Sequence, residues 1–154
     1  MKKVLLILLC CISVGVKAQD ASNYIIKEKL VFHQLDILET ETDKLIDSFP
    51  EGSGMILSVD INSTDYLCIS IPDVHTYNIQ IVNRVEDKPS EDIKVVMLQG
   101  GETVEINGEK GTYTANIFFV YDLRKNSETP EFVRLQINGS PNILKFSGII
   151  KLRD

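Results

Sequence analysis

The sequence predicts a mainly β protein, an antiparallel β-sandwich or barrel of about eight strands with an N-terminal α-helix packed on it. From Pro50 onward, short runs of alternating apolar and polar residues are separated by turn residues at roughly 8–12 residue spacing. Before Pro50, residues 19–49 contain neither Gly nor Pro and carry apolar residues at helical intervals. The gaps between predicted strands are too short for the crossover helices that parallel strands need, so we expect antiparallel pairing.

The first residues have the layout of a cleaved secretory signal peptide. Met1-Lys2-Lys3 is positively charged, Val4–Val16 is uncharged, and Val16-Lys17-Ala18 is an imperfect A-x-A-like exit. The 13 uncharged residues are too few to span a bilayer, which takes about 20. We therefore expect residues 1–18 to be removed and residues 19–154 to form a single β-rich domain. The expected location is periplasmic, outer-membrane-associated or extracellular.

A lipid anchor at Cys10 or Cys11 is an alternative to cleavage after Ala18. Leu8-Leu9 precedes Cys10, where a lipidation signal has small residues, and the apolar run before it is unusually short. The sequence therefore favours cleavage and leaves lipid anchoring open.

The charge of the chain disfavours two classes of partner. The whole sequence carries a net charge of −6, and removal of Lys2, Lys3 and Lys17 with the signal makes it −9. Nucleic acids and anionic lipids attract clustered Lys and Arg, which an acidic chain does not supply. We expect no nucleic-acid partner and no membrane span in the mature chain.

An N-terminal helix is predicted at about residues 34–48. Apolar residues recur at intervals of three, four and seven, as on one face of a helix; they are Val31, Leu35, Leu38, Leu45 and Phe49. Residues 22–33 stay open between helix and strand, and Pro50 to Gly54 ends the helix. Phe118 and Val120 are apolar on an otherwise polar strand face, so we expect the helix to cover them.

The strands follow in order along the rest of the chain. Alternation predicts them near residues 57–61, 67–71, 77–81, 93–98, 103–106, 113–121, 132–137 and 143–152. Asn62–Asp65 is predicted as a turn, residues 86–92 as a polar loop, and Gly100-Gly101 and Asn107-Gly108 as hairpin turns.

Four residues are considered as carriers of chemistry: Asp73, His75, His33 and Cys68. Asp73 and His75 would share one face of an extended segment, but His33 lies in an unrelated segment, and no nucleophile elbow is present. Cys68, between Leu67 and Ile69, would be the one cysteine left after cleavage, and we predict a buried, unreactive thiol.

The segment Asp60–Asp65 resembles the start of a calcium-binding loop. Such a loop requires Gly at its sixth position and Glu at its twelfth, where this chain has Asp65 and Ile71. A polar β-turn explains the same residues. The sequence assigns no catalytic, cofactor-binding or metal-ligating residue, and we expect no cofactor.

These observations favour a non-enzymatic interaction module that recognises a protein or small ligand in the cell envelope or extracellular space. One alternative is a small extracytoplasmic hydrolase whose site assembles only in three dimensions. Another is a structural subunit of an envelope assembly that adds strands at a sheet edge.

Overall fold

The structure, a computed structural model, describes residues 24–61 and 63–153. The predicted signal peptide, Cys10 and Cys11 lie outside these residues. Eleven strands are present in the described part: β1 Tyr24–Phe32, β2 Gln34–Glu39, β3 Leu45–Phe49, β4 Gly54–Ile61, β5 Thr64–Ile71, β6 His75–Ser90, β7 Ile93–Ile106, β8 Glu109–Asp122, β9 Phe132–Ile137, β10 Asn142–Ser147 and β11 Ile150–Lys151.

The strands form one antiparallel sheet in the order β11-β1-β4-β5-β6-β7-β8-β9-β10-β2-β3. The prediction of a mainly β, antiparallel fold is confirmed, but the described strands number eleven rather than about eight, and they form one sheet. β1 and β2 stand near opposite ends of this order, yet His33 alone joins them. Since one residue cannot bridge a wide gap, the sheet curls until these two regions meet. The backbone N–H of His33 donates to the carbonyl oxygen of Ser147, 3.0 Å away, at this junction.

The predicted helix at 34–48 is wrong, because this segment is a hairpin of β2 and β3. Leu35 lies opposite Phe49, and Leu38 lies opposite Leu45. Asp43 makes the turn possible by adopting a positive φ of 55°. Within the described residues there is no α-helix to cover Phe118 and Val120, which are half-buried on the sheet.

Residues 22–33, left open between helix and strand, contain β1 from Tyr24 onward. The predicted loop at 86–92 is largely strand, because β6 continues to Ser90. The predicted turn at Gly100-Gly101 is also wrong, since both glycines lie inside β7. The β7–β8 turn is at Asn107-Gly108, where both residues have positive φ, as predicted from the sequence.

The main core lies on one face of the sheet, which we call the inner face. Cross-strand neighbours build it: Leu30, Ile56 and Ile69 stand side by side on β1, β4 and β5. Phe32 and Phe146 close it where the curled sheet meets, with ring centroids 4.7 Å apart. Because nine strands contribute to one cluster, the sheet is stabilised as a unit by burial of apolar surface.

A second, smaller cluster lies on the opposite face, which we call the outer face. It contains four buried residues, Met55, Leu57, Val59 and Cys68. Strands β4 and β5 are therefore apolar on both faces over part of their length.

The β6–β7 and β7–β8 hairpins extend beyond the strands that flank them. β5 pairs with β6 only as far as Gln80, so residues 82–90 of β6 pair with β7 on one side and with no described strand on the other. Among the described residues, no helix has the length and apolar character to cross a membrane.

Candidate functional site

The two histidines considered as catalytic candidates do not assemble with serine or aspartate partners among the described residues. His75 is exposed at the start of β6, and its ring packs edge-on against Tyr77 at 4.5 Å between centroids. Asp73 is exposed in the preceding turn with a positive φ of 62°. His33 lies at the β1–β2 junction, a different part of the sheet. In the described part of the chain, no hydrogen bond joins either imidazole to a serine or an acid, so no triad is assembled there.

The calcium-like segment is the tip of the β4–β5 hairpin. Asp60 and Asp65 are cross-strand neighbours, and the ammonium group of Lys27 binds both carboxylates. Its Nζ lies 3.4 Å from the Asp60 carboxylate and also hydrogen-bonds Asp65. The described residues contain no group of three or more His, Cys, Asp or Glu side chains placed to hold a metal ion.

Cys68 is buried on the outer face of β5, as predicted from its apolar neighbours. The burial of Cys68 is thus as predicted, and its low reactivity stays a prediction.

A groove of about 440 Å³ runs across the outer face from β4 to β8. One side is apolar and is formed by Val59, Ile61 and Tyr66. The opposite side is polar and carries the hydroxyl groups of Thr103 and Thr112, which lie 3.0 Å apart. A volume of roughly 300–1,000 Å³ with apolar walls and a few polar groups is typical of small-molecule sites.

A glycine creates the depression between these two sides. Tyr66, Gln80, Gly101 and Thr114 are successive cross-strand neighbours on β5, β6, β7 and β8. Because Gly101 has no side chain, the row is interrupted between Gln80 and Thr114. The adjacent Gly100 lets β7 approach β6, since a Cβ there would lie 2.2 Å from the carbonyl oxygen of Gln80.

Glu102 is the one buried acid among the groove residues. It is 7% exposed, and its Oε2 accepts hydrogen bonds from the Tyr113 hydroxyl and from the backbone N–H of Asn78, the latter at 3.0 Å. The β6–β7 pairing ends at Gln80 and Gly101, so β7 supplies no backbone acceptor for Asn78 and the carboxylate takes that place. Burial raises the pKa of Tyr113, and the hydrogen bond to Glu102 raises it further, so the hydroxyl keeps its proton.

Two side-chain atoms at this position have no hydrogen-bond partner among the described residues. Oε1 of Glu102 receives no hydrogen bond from the described residues, yet it is not sealed from solvent. The amide nitrogen of Asn78 is buried and has no hydrogen-bond partner in the described part of the chain. An unpaired buried donor such as the Asn78 amide is rare in native proteins, and a ligand or a water molecule can complete its bonding.

A ladder of amide side chains lies beside the groove and keeps this face polar. The amide of Asn83 donates to Gln99 at 2.7 Å, and Gln99 donates to Asn116 at 3.1 Å. These bonds cross β6, β7 and β8 on the outer face, so they hold the strands under the groove in fixed register.

A second depression lies between the loop after β8 and the C-terminal residues. Ser127 and Glu128 form one side, and Ile149, Lys151 and Arg153 form the other. The ammonium group of Lys151 already binds the Glu28 carboxylate at 3.2 Å and the Glu128 carboxylate at 3.7 Å. Its charge is therefore neutralised within the chain, unlike that of Glu102.

No family model matches the chain, and comparison with curated proteins and with solved structures gives no match. The candidate site therefore depends on the geometry of the groove alone.

Sequence reasoning did not find this site. The alternation predicts a turn at Gly100-Gly101 and a strand at 103–106, so Glu102 falls between them with no assigned role. One signal was present: Val96 and Leu98 place the even-numbered residues of this segment on the core-facing side, where residue 102 is a charged Glu. A charged residue on a core-facing position indicates a partner or a function.

Proposed function

We propose that this protein is an exported, non-enzymatic binding module that holds a small ligand in the groove across β4–β8. The observation that carries the proposal is the buried, incompletely paired Glu102 beside a depression of ligand size. The signal-like residues 1–18 support export, and the acidic charge disfavours nucleic acid.

The position of the groove on the sheet supports binding. Its lining residues come from five adjacent strands that also carry the main core on their inner face. Sites built on packed strands hold their groups in place before a ligand arrives, which lowers the entropic cost of binding.

A tryptophan reporter tests this function. The chain contains no Trp, so a single introduced indole gives the only tryptophan emission. Val82 lines the groove and is 77% exposed, whereas Val74 is equally accessible, at 74%, but lies outside the groove. V82W is the reporter, and V74W is the matched control.

Each variant is titrated with small compounds of three classes: cationic, anionic and neutral. The proposal expects at least one compound to change the V82W emission saturably while leaving the V74W emission unchanged. If no compound of any class does so, or if both variants respond equally, the groove is not a ligand site.

A second candidate function, a subunit of an envelope assembly, has one observation in its favour. Residues 82–90 of β6 form an edge that pairs with no described strand on its outer side. An added strand from another chain could pair there. The edge carries Arg84, Glu86, Lys88 and Pro89, residues that protect natural sheet edges from pairing, so we favour the groove.

A further inference from the structure

We propose that the groove recognises an alkylammonium group, which pairs with the carboxylate of Glu102. This inference depends on the proposed function, because it names the chemistry of the ligand for the same groove. An alkylammonium group is offered either by a free aliphatic amine or by the side chain of a lysine.

The hydrogen bonds of Glu102 leave one oxygen for such a group. Both protein donors, the Tyr113 hydroxyl and the Asn78 backbone N–H, bind Oε2. Each carboxylate oxygen has about two lone-pair sites, so these two donors occupy the acceptor capacity of Oε2. Oε1 retains its lone pairs and its contact with solvent.

The negative charge of Glu102 has no counter-charge in the described part of the chain. Every ion pair of the described acids joins other residues: Lys27 binds Asp60, Arg124 binds Asp122, and Lys151 binds Glu28. A buried charge without a partner is costly, and an opposite charge with good hydrogen-bond geometry recovers much of that cost. A ligand cation would supply the missing charge.

The remaining groove residues suit the carbon chain of an amine. Val59, Ile61 and Val82 offer apolar contacts for methylene groups, and Tyr66 adds an aromatic ring to the groove wall. The groove carries no Lys or Arg that would repel a cation. The net charge of −6 attracts cations to the protein as a whole.

Calorimetric titration with 1-aminopentane tests the inference, and 1-pentanol serves as the neutral probe of equal length. The amine is protonated at pH 7, as the lysine side chain is. Nα-acetyl-lysine methylamide is the third probe, because it carries the same ammonium group on a peptide backbone. Binding of the amine, the lysine derivative or both supports the proposal, and their relative affinity identifies the source.

The variant E102Q separates charge from shape. Its amide oxygen can still accept from Tyr113 and Asn78, so we expect it to fold, which its melting curve checks. E105Q removes the same charge from an exposed position on the same strand, outside the groove. We expect E102Q to weaken amine binding roughly 30-fold or more, as the loss of a buried charge partner does, and E105Q to leave it unchanged.

Three results would overturn the inference. The first is equal binding of 1-pentanol and 1-aminopentane to the unaltered protein, which needs no variant. The second is full amine affinity in folded E102Q, and the third is no binding by any ammonium probe. If a neutral or anionic compound still changes the V82W emission, the groove remains a ligand site and only the ammonium chemistry fails.

Discussion

At the scale of single residues, Gly101 and Glu102 determine the shape and charge of the groove, and Gly100 lets β6 and β7 approach each other beside it. Gly100 is required because β6 passes close to it, while Glu102 satisfies a backbone donor that the diverging strand leaves free. Both lie where the β6–β7 ladder ends, and the hydrogen bond to Asn78 places the Glu102 carboxylate in the gap between β6 and β7, at the groove. The close approach of β6 at Gly100 and the buried carboxylate of Glu102 thus occur two residues apart on β7.

Replacing Gly100 by alanine is expected to destabilise the protein. The new Cβ would lie 2.2 Å from the Gln80 carbonyl oxygen and 2.7 Å from the Ile79 side chain, so β6 and β7 must move apart. Overpacking of this kind costs about 1–3 kcal/mol of unfolding free energy. Urea denaturation measures it.

The matched control is G111A, because a Cβ at Gly111 meets no atom within 4 Å. That change should leave stability unaltered or raise it by about 0.4–1 kcal/mol through the unfolded chain. Equal stability of the two variants would contradict the close strand approach at Gly100.

At the scale of elements, the β2–β3 hairpin shows where sequence reasoning ends. Leu35 and Leu38 are three residues apart, which fits a helix face, and the segment has no Gly or Pro to indicate a turn. The turn depends instead on the positive φ of Asp43 and on two backbone hydrogen bonds. The N–H of Glu39 donates to the carbonyl oxygen of Lys44, and the N–H of Asp43 donates to the carbonyl oxygen of Glu39. The Glu- and Thr-rich sequence before Asp43 contains no residue pattern that strongly predicts this turn.

Most other strands were predictable from alternation. β4, β5, β8 and β9 lie where alternating apolar residues placed them, and Asn107-Gly108 is the predicted turn. The groove was not predictable, because its residues come from five strands and meet only through pairing. The register of β6 against β7 in particular cannot be derived from either strand alone.

The hairpin should also make stability depend on acid pH. Burial acts to raise the pKa of Asp36, but hydrogen bonds from Gln34 and Ser48 and the charge of Lys145 outweigh it, so the pKa is lowered in the folded state. The unfolded state then binds more protons between the two pKa values. The stabilisation is complete above the unfolded pKa of about 4 and is lost as pH falls through the lower folded value.

We expect the unfolding free energy to fall as the pH drops below about 4, and the slope to be smaller in D36N. Urea denaturation at several pH values measures both slopes. D47N, a change at an exposed acid on β3, controls for the loss of one charge. An unchanged slope in D36N would show that Asp36 does not carry this dependence.

At the scale of the whole molecule, one curled sheet carries a core on its inner face and a groove on its outer face. The strands that line the groove are the same strands that share the main core, so groove and core are ordered together. The second depression, beside Lys151, is built from a loop and the C-terminal residues and has its charges already paired. These differences make the groove the site of choice for a ligand.

The most direct test of the groove as the ligand site is an amide-resolved NMR titration of the unaltered, isotope-labelled protein with 1-aminopentane, followed by the anionic and neutral compounds. We expect the backbone amides of Asn78, Gly101 and Glu102 to shift together with one saturable midpoint, because these three residues meet at the floor of the groove. Saturable shifts confined to residues 126–129 and 149–153, or no saturable shift with any compound, would contradict it.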